Sequence, residues 1–232
     1  MTRLRPIAAR RAAPADEQAI ARRLAERDPW LRLRKPRYQL QMIADLLELL
    51  PEGPCRIIDI GAGNGLVAET LAALAPGKQP TGVDIAGNAL SDLAIPFTRY
   101  DGRRLPFADG AFDCALMCNM LHHVPPTGRA ALLREALRVT GGGTLIIKDH
   151  LARAPLDRLR LWALDVMGNA PRGFMIEASY LDPGQWDALF AELGCAGEIL
   201  PPAAYRTGVF SWLFPNRLEI ALRVSPSARP GR

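Results

Sequence analysis

The sequence predicts an α/β fold, with one sheet of seven strands and helices on both of its faces. A short, β-branched and nearly continuous apolar run is formed by Ile57, Ile58 and Ile60, as in strands that are buried on both faces of a parallel sheet. Gly61, Gly63 and Gly65 follow at alternate positions, and apolar residues at helical spacing come next. Short apolar runs and helical stretches then alternate along 232 residues, a length that suits one α/β domain with additions.

The N-terminal part of the chain predicts a tail followed by two helices. Residues 1–14 are rich in arginine and are expected to be a flexible basic tail. Asp16 can cap a helix that continues to about Asp28, and a second helix with a buried apolar stripe follows Pro36. Both helices fall within residues 15–53, ahead of the first strand.

The remaining elements follow from the same patterns. After the helix that begins at Leu66, strands are predicted at residues 80–85, 96–100, 112–118, 144–147, 196–200 and 218–224. Helices are expected at residues 127–139 and 182–194. Residues 151–181 are interpreted as an insert that closes like a lid over the ligand-binding edge of the sheet, and a dimer contact or a plain cover of the core stays open as the alternative. The predicted domain therefore spans residues 15–224, and residues 225–232 are expected to be a disordered tail.

Composition and charge exclude some classes of protein. The hydrophobic share of 49% and the charged share of 23% are typical of globular chains. No apolar run approaches the ~18 residues of a membrane span, and the N-terminus lacks the apolar core of a secretory signal. The four cysteines lack metal-type spacing, so we expect reduced thiols and a cytoplasmic protein. The net charge of +5 leaves nucleic acid open as a partner, although solvated arginine-rich helices are the simpler interpretation.

An acidic residue precedes the glycines: Asp59, one spacer, and then Gly-x-Gly-x-Gly over residues 61–65. This stretch resembles the first motif of the class I S-adenosylmethionine (SAM) dependent methyltransferases. The dinucleotide fingerprint would need its third glycine at position 66, which is Leu66. The resemblance implies a Rossmann-like, mostly parallel sheet whose last strand is antiparallel, an N-terminal helical cap and SAM as cofactor. It places the cofactor on Asp59, Gly61, Ala62, Gly63 and Gly65.

Further cofactor residues are expected at the ends of the next strands. Asp84 ends the second strand, and a carboxylate there can accept hydrogen bonds from two ribose hydroxyls. The resemblance implies that Asp101 faces the adenine amino group, with Ile85 and Gly102 beside these two carboxylates. Two structural alternatives stay open, because Asp84 could cap a helix and Asp101-Gly102 could be an ordinary turn.

The region 105–124 carries a second resemblance. Its Leu-Pro-Phe, the pair Phe112-Asp113, an apolar strand and Leu121-His122 are similar to the quinone-biosynthesis C-methyltransferases and related small-molecule enzymes. The resemblance implies a small-molecule or lipid-like acceptor, O- or C-methylation, and Asn119 beside the methionine part of SAM. Two alternatives stay open: an RNA methyltransferase, and a SAM-binding regulatory protein without catalysis.

All three histidines, His122, His123 and His150, fall at the carboxyl ends of two predicted strands. Histidine titrates near neutral pH and serves as a general base, so His150 is the expected base, oriented by Asp149, and His122 is a second catalytic candidate. Their spacing does not support a metal site, and we expect none. The expected oligomeric state is a monomer or a homodimer.

Overall fold

The structure, a computed structural model, describes residues 4–7, 16–28, 31, 37–173 and 175–227. Its strands are β1 Leu4–Pro6, β2 Cys55–Ile60, β3 Lys78–Asp84, β4 Phe97–Arg99, β5 Cys114–Cys118, β6 Thr144–His150, β7 Cys195–Leu200 and β8 Glu219–Pro226. Its α-helices are Glu17–Arg27, Arg37–Leu49, Leu66–Leu74, Pro126–Val139, Pro155–Asn169, Pro183–Glu192 and Gly208–Leu213. Single turns of 3-10 helix cover Leu121–His123, Ala170–Arg172 and Asn216–Leu218.

The strands form one sheet in the order β1-β7-β8-β6-β5-β2-β3-β4. Among the strands of the described residues, only β8 is antiparallel to its neighbours, and it lies between β6 and β7, as the resemblance implies. The carboxyl ends of β2, β3, β5 and β6 therefore meet at one edge. In open α/β sheets this edge is where ligands bind.

The predicted count of seven strands is wrong, because residues 4–6 add an eighth. Leu4 pairs in parallel with Gly197 of β7, where a side chain in place of the glycine would lie 2.8 Å from a Leu4 methyl. Pro6 is tolerated because β1 is an edge strand, which needs no donor on its outer side. This strand also corrects the tail prediction for residues 4–7; the rest of residues 1–14 lies outside the described residues.

The C-terminal strand is longer than predicted. Ser225 and Pro226 still pair with β7, and the N–H of Ser227 donates to the carbonyl of Gly194 at 2.8 Å. These residues belong to the sheet, so the disordered tail predicted for residues 225–232 is wrong at its beginning. Residues 228–232 lie outside the described residues.

Helices cover both faces of the sheet, as predicted. Period-two alternation sends Ile58 and Ile60 to one face and Ile57 to the other. The first face packs against the helices that carry Leu133 and Trp186, and the second against the N-terminal helices. Asp16 caps the first of these helices by accepting from the N–H groups of residues 18 and 19.

The insert at residues 151–181 contains the helix Pro155–Asn169 and then runs back to the sheet. Leu161 and Tyr180 pack with Leu218, so the insert is attached to the chain just before β8. The short helix Gly208–Leu213 was not predicted, because its aromatic residues lack a clear helical period. Within the described ranges, no helix combines the length and the apolar character that a transmembrane segment needs.

Candidate functional site

The glycine turn is held by backbone groups. The N–H groups of Gly61 and Ala62 both donate to the carbonyl of Val83, at 2.9 and 3.0 Å, so the turn after β2 is fixed to the end of β3. Gly61 and Gly65 have φ angles of 74° and 83°, and added Cβ atoms would lie 2.9 Å from Met120 and 2.6 Å from Leu93. Glycine is therefore required at both positions by conformation and by space.

Asp84 lies directly beside this turn. One carboxylate oxygen accepts from the N–H of Gly63 at 2.7 Å, and the other accepts from the N–H of Ala86 at 2.8 Å. Residues 85–96 form no helix, so the alternative that Asp84 caps one is wrong. These two bonds orient the carboxylate at the sheet edge, next to Gly63, where an added Cβ would meet nothing within 4 Å.

Asp59 is a buried carboxylate for which the described residues provide no hydrogen-bond donor. Both of its oxygens lack a hydrogen bond there, and its side chain lies in β2 immediately before the glycine turn. Burial, reinforced by the negative charge of Asp84, raises the pKa of Asp59 to about 7. A buried acceptor without a donor is costly, and it suits a ligand that brings a donor or a positive charge.

Asp101 forms a tight local turn. One of its oxygens accepts from the N–H groups of Arg103 and Arg104, at 2.8 and 3.1 Å, and these bonds hold the pKa of Asp101 below its usual value. The turn alternative is therefore present, and the adenine contact stays a prediction. Beside it, the half-exposed side chain of Ile85 would be 3.2 Å from a Cβ added at Gly102. Ile85 and Gly102 thus form an adjoining apolar surface.

Asn119 occupies an uncommon backbone conformation at the end of β5. Its φ angle is 51°, and its N–H donates to the carbonyl of Lys148 at 2.7 Å. The hydroxyl of Tyr38 donates to the Asn119 side-chain oxygen at 2.7 Å, which joins the second N-terminal helix to the sheet edge. Left-handed non-glycine residues with this degree of support are frequent at functional sites.

His122 and Asp149 form a buried pair. Nδ1 of His122 donates to an Asp149 oxygen at 2.5 Å, and the same carboxylate accepts from the N–H groups of Leu121 and His150. Burial lowers the pKa of His122, but the charge of Asp149 outweighs burial and leaves the pKa above its usual value. Asp149 thus holds the His122 ring in position and keeps a proton on its Nδ1.

His150 lies between two carboxylates that the sequence did not connect with it. Its ring nitrogens are 3.5 Å from Asp165 and 3.5 Å from Glu219. Burial lowers the pKa of His150, but Glu219 and Asp165 outweigh burial and raise the pKa to about 10. The ring is therefore charged at neutral pH, and in this arrangement it binds carboxylates rather than accepting a proton.

The cluster extends into a network of buried charges. Glu219 also pairs with Arg206 at 2.5 Å and with Lys148 at 3.5 Å, and Lys148 pairs with Asp45 at 3.4 Å. All four of these side chains are buried. The only signal in the sequence is the presence of charged residues inside or next to apolar strands, and alternation along β8 by itself would place Glu219 on a polar face.

Two histidines and one carboxylate converge beside this network. One potential ligand atom from each of His122, His123 and Asp165 lies within 4.8 Å of the others. His123 donates from Nδ1 to the carbonyl of Glu177 at 2.7 Å. Asp165 comes from the helix of the insert, so histidine spacing alone could not reveal this set.

Comparisons with known proteins agree with the geometry of the glycine turn. A family model described as a methyltransferase domain matches residues 58–147. An uncharacterized methyltransferase of Mycobacterium bovis is 30% identical over 135 residues, which cover 54% of this chain and 67% of that protein. The ubiquinone biosynthesis O-methyltransferase of Albidiferax ferrireducens is 26% identical over 150 residues, 59% of this chain and 58% of that protein.

The extent of these matches is limited. The chain spans 36% to 45% of the length of uncharacterized mycobacterial methyltransferases that are 32% to 36% identical to it. A solved SAM-dependent methyltransferase of Thermotoga maritima superposes with a TM-score of 0.61 at 20% identity, covering 90% of this chain and 99% of that one. At that identity the likeness shows the fold alone.

Proposed function

Because the chain belongs to the family of SAM-dependent methyltransferases, we propose that it transfers the methyl group of SAM to a small-molecule or lipid-like acceptor, by O- or C-methylation. The observation that carries this proposal is the link between the glycine turn and Asp84, at the edge where open α/β sheets bind ligands. The match to a ubiquinone biosynthesis O-methyltransferase favours a small acceptor and an oxygen nucleophile.

The residues at the cofactor end fit the groups of SAM. Asp84 presents an oriented carboxylate that suits the ribose hydroxyls, and Ile85 with Gly102 offers an apolar surface for adenine, next to Asp101. The buried acceptor Asp59 suits the positively charged amino group of the methionine part, with Asn119 across the same edge. Bound SAM supplies an already activated methyl group, so these residues have to bind and align it.

The acceptor is proposed to bind over the carboxyl ends of β5 and β6. Tyr38 borders this side through its bond to Asn119, and the insert 151–181 is proposed to act as its lid. Exposed apolar side chains on the insert support an acceptor with a hydrophobic part: Leu156, Leu159, Trp162, Met167, Met175 and Ile176. The four free cysteines are in keeping with a cytoplasmic location.

The catalytic roles of His122, Asp149 and His150 stay predictions. Asp149 orients His122, and His150 would have to lose its proton to act as a base. A protein base is required only for acceptors that must lose a proton during transfer. Replacement of His150 by alanine is expected to lower turnover more than SAM affinity, and equal turnover would remove it from the reaction.

Asp84→Ala tests the cofactor site directly. Loss of two charge-assisted hydrogen bonds to the ribose should weaken SAM binding by roughly 100-fold or more, because each is worth about 1.5–3 kcal/mol. Isothermal titration calorimetry measures the dissociation constant, and transfer of a labelled methyl group to candidate acceptors measures turnover. Asp109→Ala is the matched control, since Asp109 is an exposed aspartate paired with Arg138. Unchanged SAM affinity in Asp84→Ala, or stabilisation by NAD rather than SAM, would contradict the proposal.

A further inference from the structure

We propose that His122, His123 and Asp165 bind a divalent transition-metal ion, and that zinc is the ion best suited to this set of ligands. Two imidazoles and one carboxylate are typical protein ligands of zinc. None of the three residues belongs to the proposed cofactor site, and the proposal does not rest on methyl transfer.

His122 is already arranged as a metal ligand. Its Nδ1 donates to Asp149 at 2.5 Å, so Nε2 is the nitrogen that presents a lone pair in the neutral ring, and a bound metal would displace the second proton from it. This Nε2 is buried and has no hydrogen-bond partner among the described residues. Histidines that bind a metal through one ring nitrogen commonly donate a hydrogen bond from the other ring nitrogen to a carboxylate.

Asp165 lies at the distance that such an ion requires. Its Oδ2 is 3.4 Å from Nε2 of His122. Two ligands of a tetrahedral zinc ion, with bonds of about 2.1 Å, are separated by about 3.4 Å. The carboxylate is held there by the hydroxyl of Tyr180, at 2.5 Å, and by the His150 ring at 3.5 Å.

His123 completes the set from the half-buried side. Its Nδ1 donates to the carbonyl of Glu177, which leaves Nε2 as its lone-pair nitrogen. The three ligand atoms lie within 4.8 Å of one another, so the widest gap needs to close by roughly 1.4 Å to reach tetrahedral spacing. Three protein ligands leave the fourth position of the ion open, as in catalytic rather than structural zinc sites.

The experiment uses the full chain without a histidine tag, because a tag would itself bind metal. The protein is stripped with a chelator and titrated with Co²⁺ and then with Zn²⁺, and bound metal is measured by elemental analysis after dialysis. We expect one ion per chain and the visible absorption of Co²⁺ in a four-coordinate site. His123→Ala should weaken Zn²⁺ binding by more than the roughly 10–100-fold that loss of an outer partner costs. Glu177→Gln, which changes a neighbouring exposed carboxylate, should bind as the natural protein does.

Asp165→Asn is a second test, but Asp165 also pairs with His150 and Tyr180, so circular dichroism must show that the variant is folded. His123→Ala therefore carries the decision. Absence of a Co²⁺ absorption band with no retained zinc would overturn the proposal. So would equal Zn²⁺ affinity in His123→Ala and Glu177→Gln, because the bound ion would then lie elsewhere.

Discussion

Different interactions fix the structure at each of the two ends of the ligand-binding edge. At the proposed cofactor end, the turn after β2 is fixed by backbone N–H groups and by Asp84, all within about thirty residues of sequence. At the proposed acceptor end, over the carboxyl ends of β5 and β6, side-chain charges from distant segments meet in the interior: Asp45, Lys148, Asp165 and Glu219. The difference teaches that a site built from backbone is specified locally, whereas a site built from buried charges depends on the whole fold.

Glu219→Gln tests the acceptor end with the largest expected effect. The substitution leaves Arg206 without its carboxylate and removes one partner each from His150 and Lys148. Loss of one member of a buried ion network costs roughly 3–5 kcal/mol of unfolding free energy, because buried charge is left uncompensated.

Urea unfolding measures this loss. The control Glu192→Gln removes an exposed ion pair with Arg134 and should cost less than about 1 kcal/mol. If the two substitutions had the same small effect, the buried charges would not hold the acceptor end together.

Asp59→Asn tests the cofactor end through the pH dependence of the free energy of unfolding. Burial and Asp84 raise the pKa of Asp59 to about 7, above the value of about 4 in an unfolded chain. The stability that depends on this group is therefore fully present below about pH 4 and is lost as pH rises through about 7. The neutral amide avoids this loss, so the variant should be more stable than the natural protein by roughly 2–4 kcal/mol near pH 9.

Unfolding free energies at several pH values check this expectation. The difference between Asp59→Asn and the natural protein should shrink steadily as the pH is lowered toward about 4. A difference that stays constant across the whole range would mean that folding does not raise the pKa of Asp59.

Tyr38→Phe should have the smallest effect, and it tests the connection between the two ends. It removes only the hydrogen bond to Asn119, worth about 0.5–1.5 kcal/mol, and leaves the ring in place. Because this bond holds Asn119 at the sheet edge, the free energy of SAM binding should weaken by about the same amount as the free energy of unfolding. Calorimetry together with thermal unfolding gives both quantities, and a loss of stability with unchanged affinity would separate Asn119 from the cofactor.

The fold could be predicted from the sequence wherever local patterns determine it. The strand before Gly61 and the helix after Asp16 follow from apolar runs, glycine and capping chemistry. The edge strand Leu4–Pro6 could not be predicted, because three residues have no period and their pairing with Gly197 joins distant parts of the chain.

The candidate site divides in the same way. That Asp84 and the glycines share one sheet edge could be predicted, because they lie at fixed offsets after two strands, and the structure adds their hydrogen bonds. Asp165 and Glu219 were missed, because no sequence pattern relates them to His150. Their position depends on how the insert and β8 pack, and their charges change what His150 can do.

The most direct test of the central claim is a crystal structure of the protein with bound S-adenosylhomocysteine. We expect the ribose hydroxyls within hydrogen-bond distance of Asp84, with the nucleoside lying beside Gly63 and the methionine part near Asp59 and Asn119. A structure in which the nucleoside binds elsewhere, with the carboxylate of Asp84 contacting only Gly63 and Ala86, would contradict the claim.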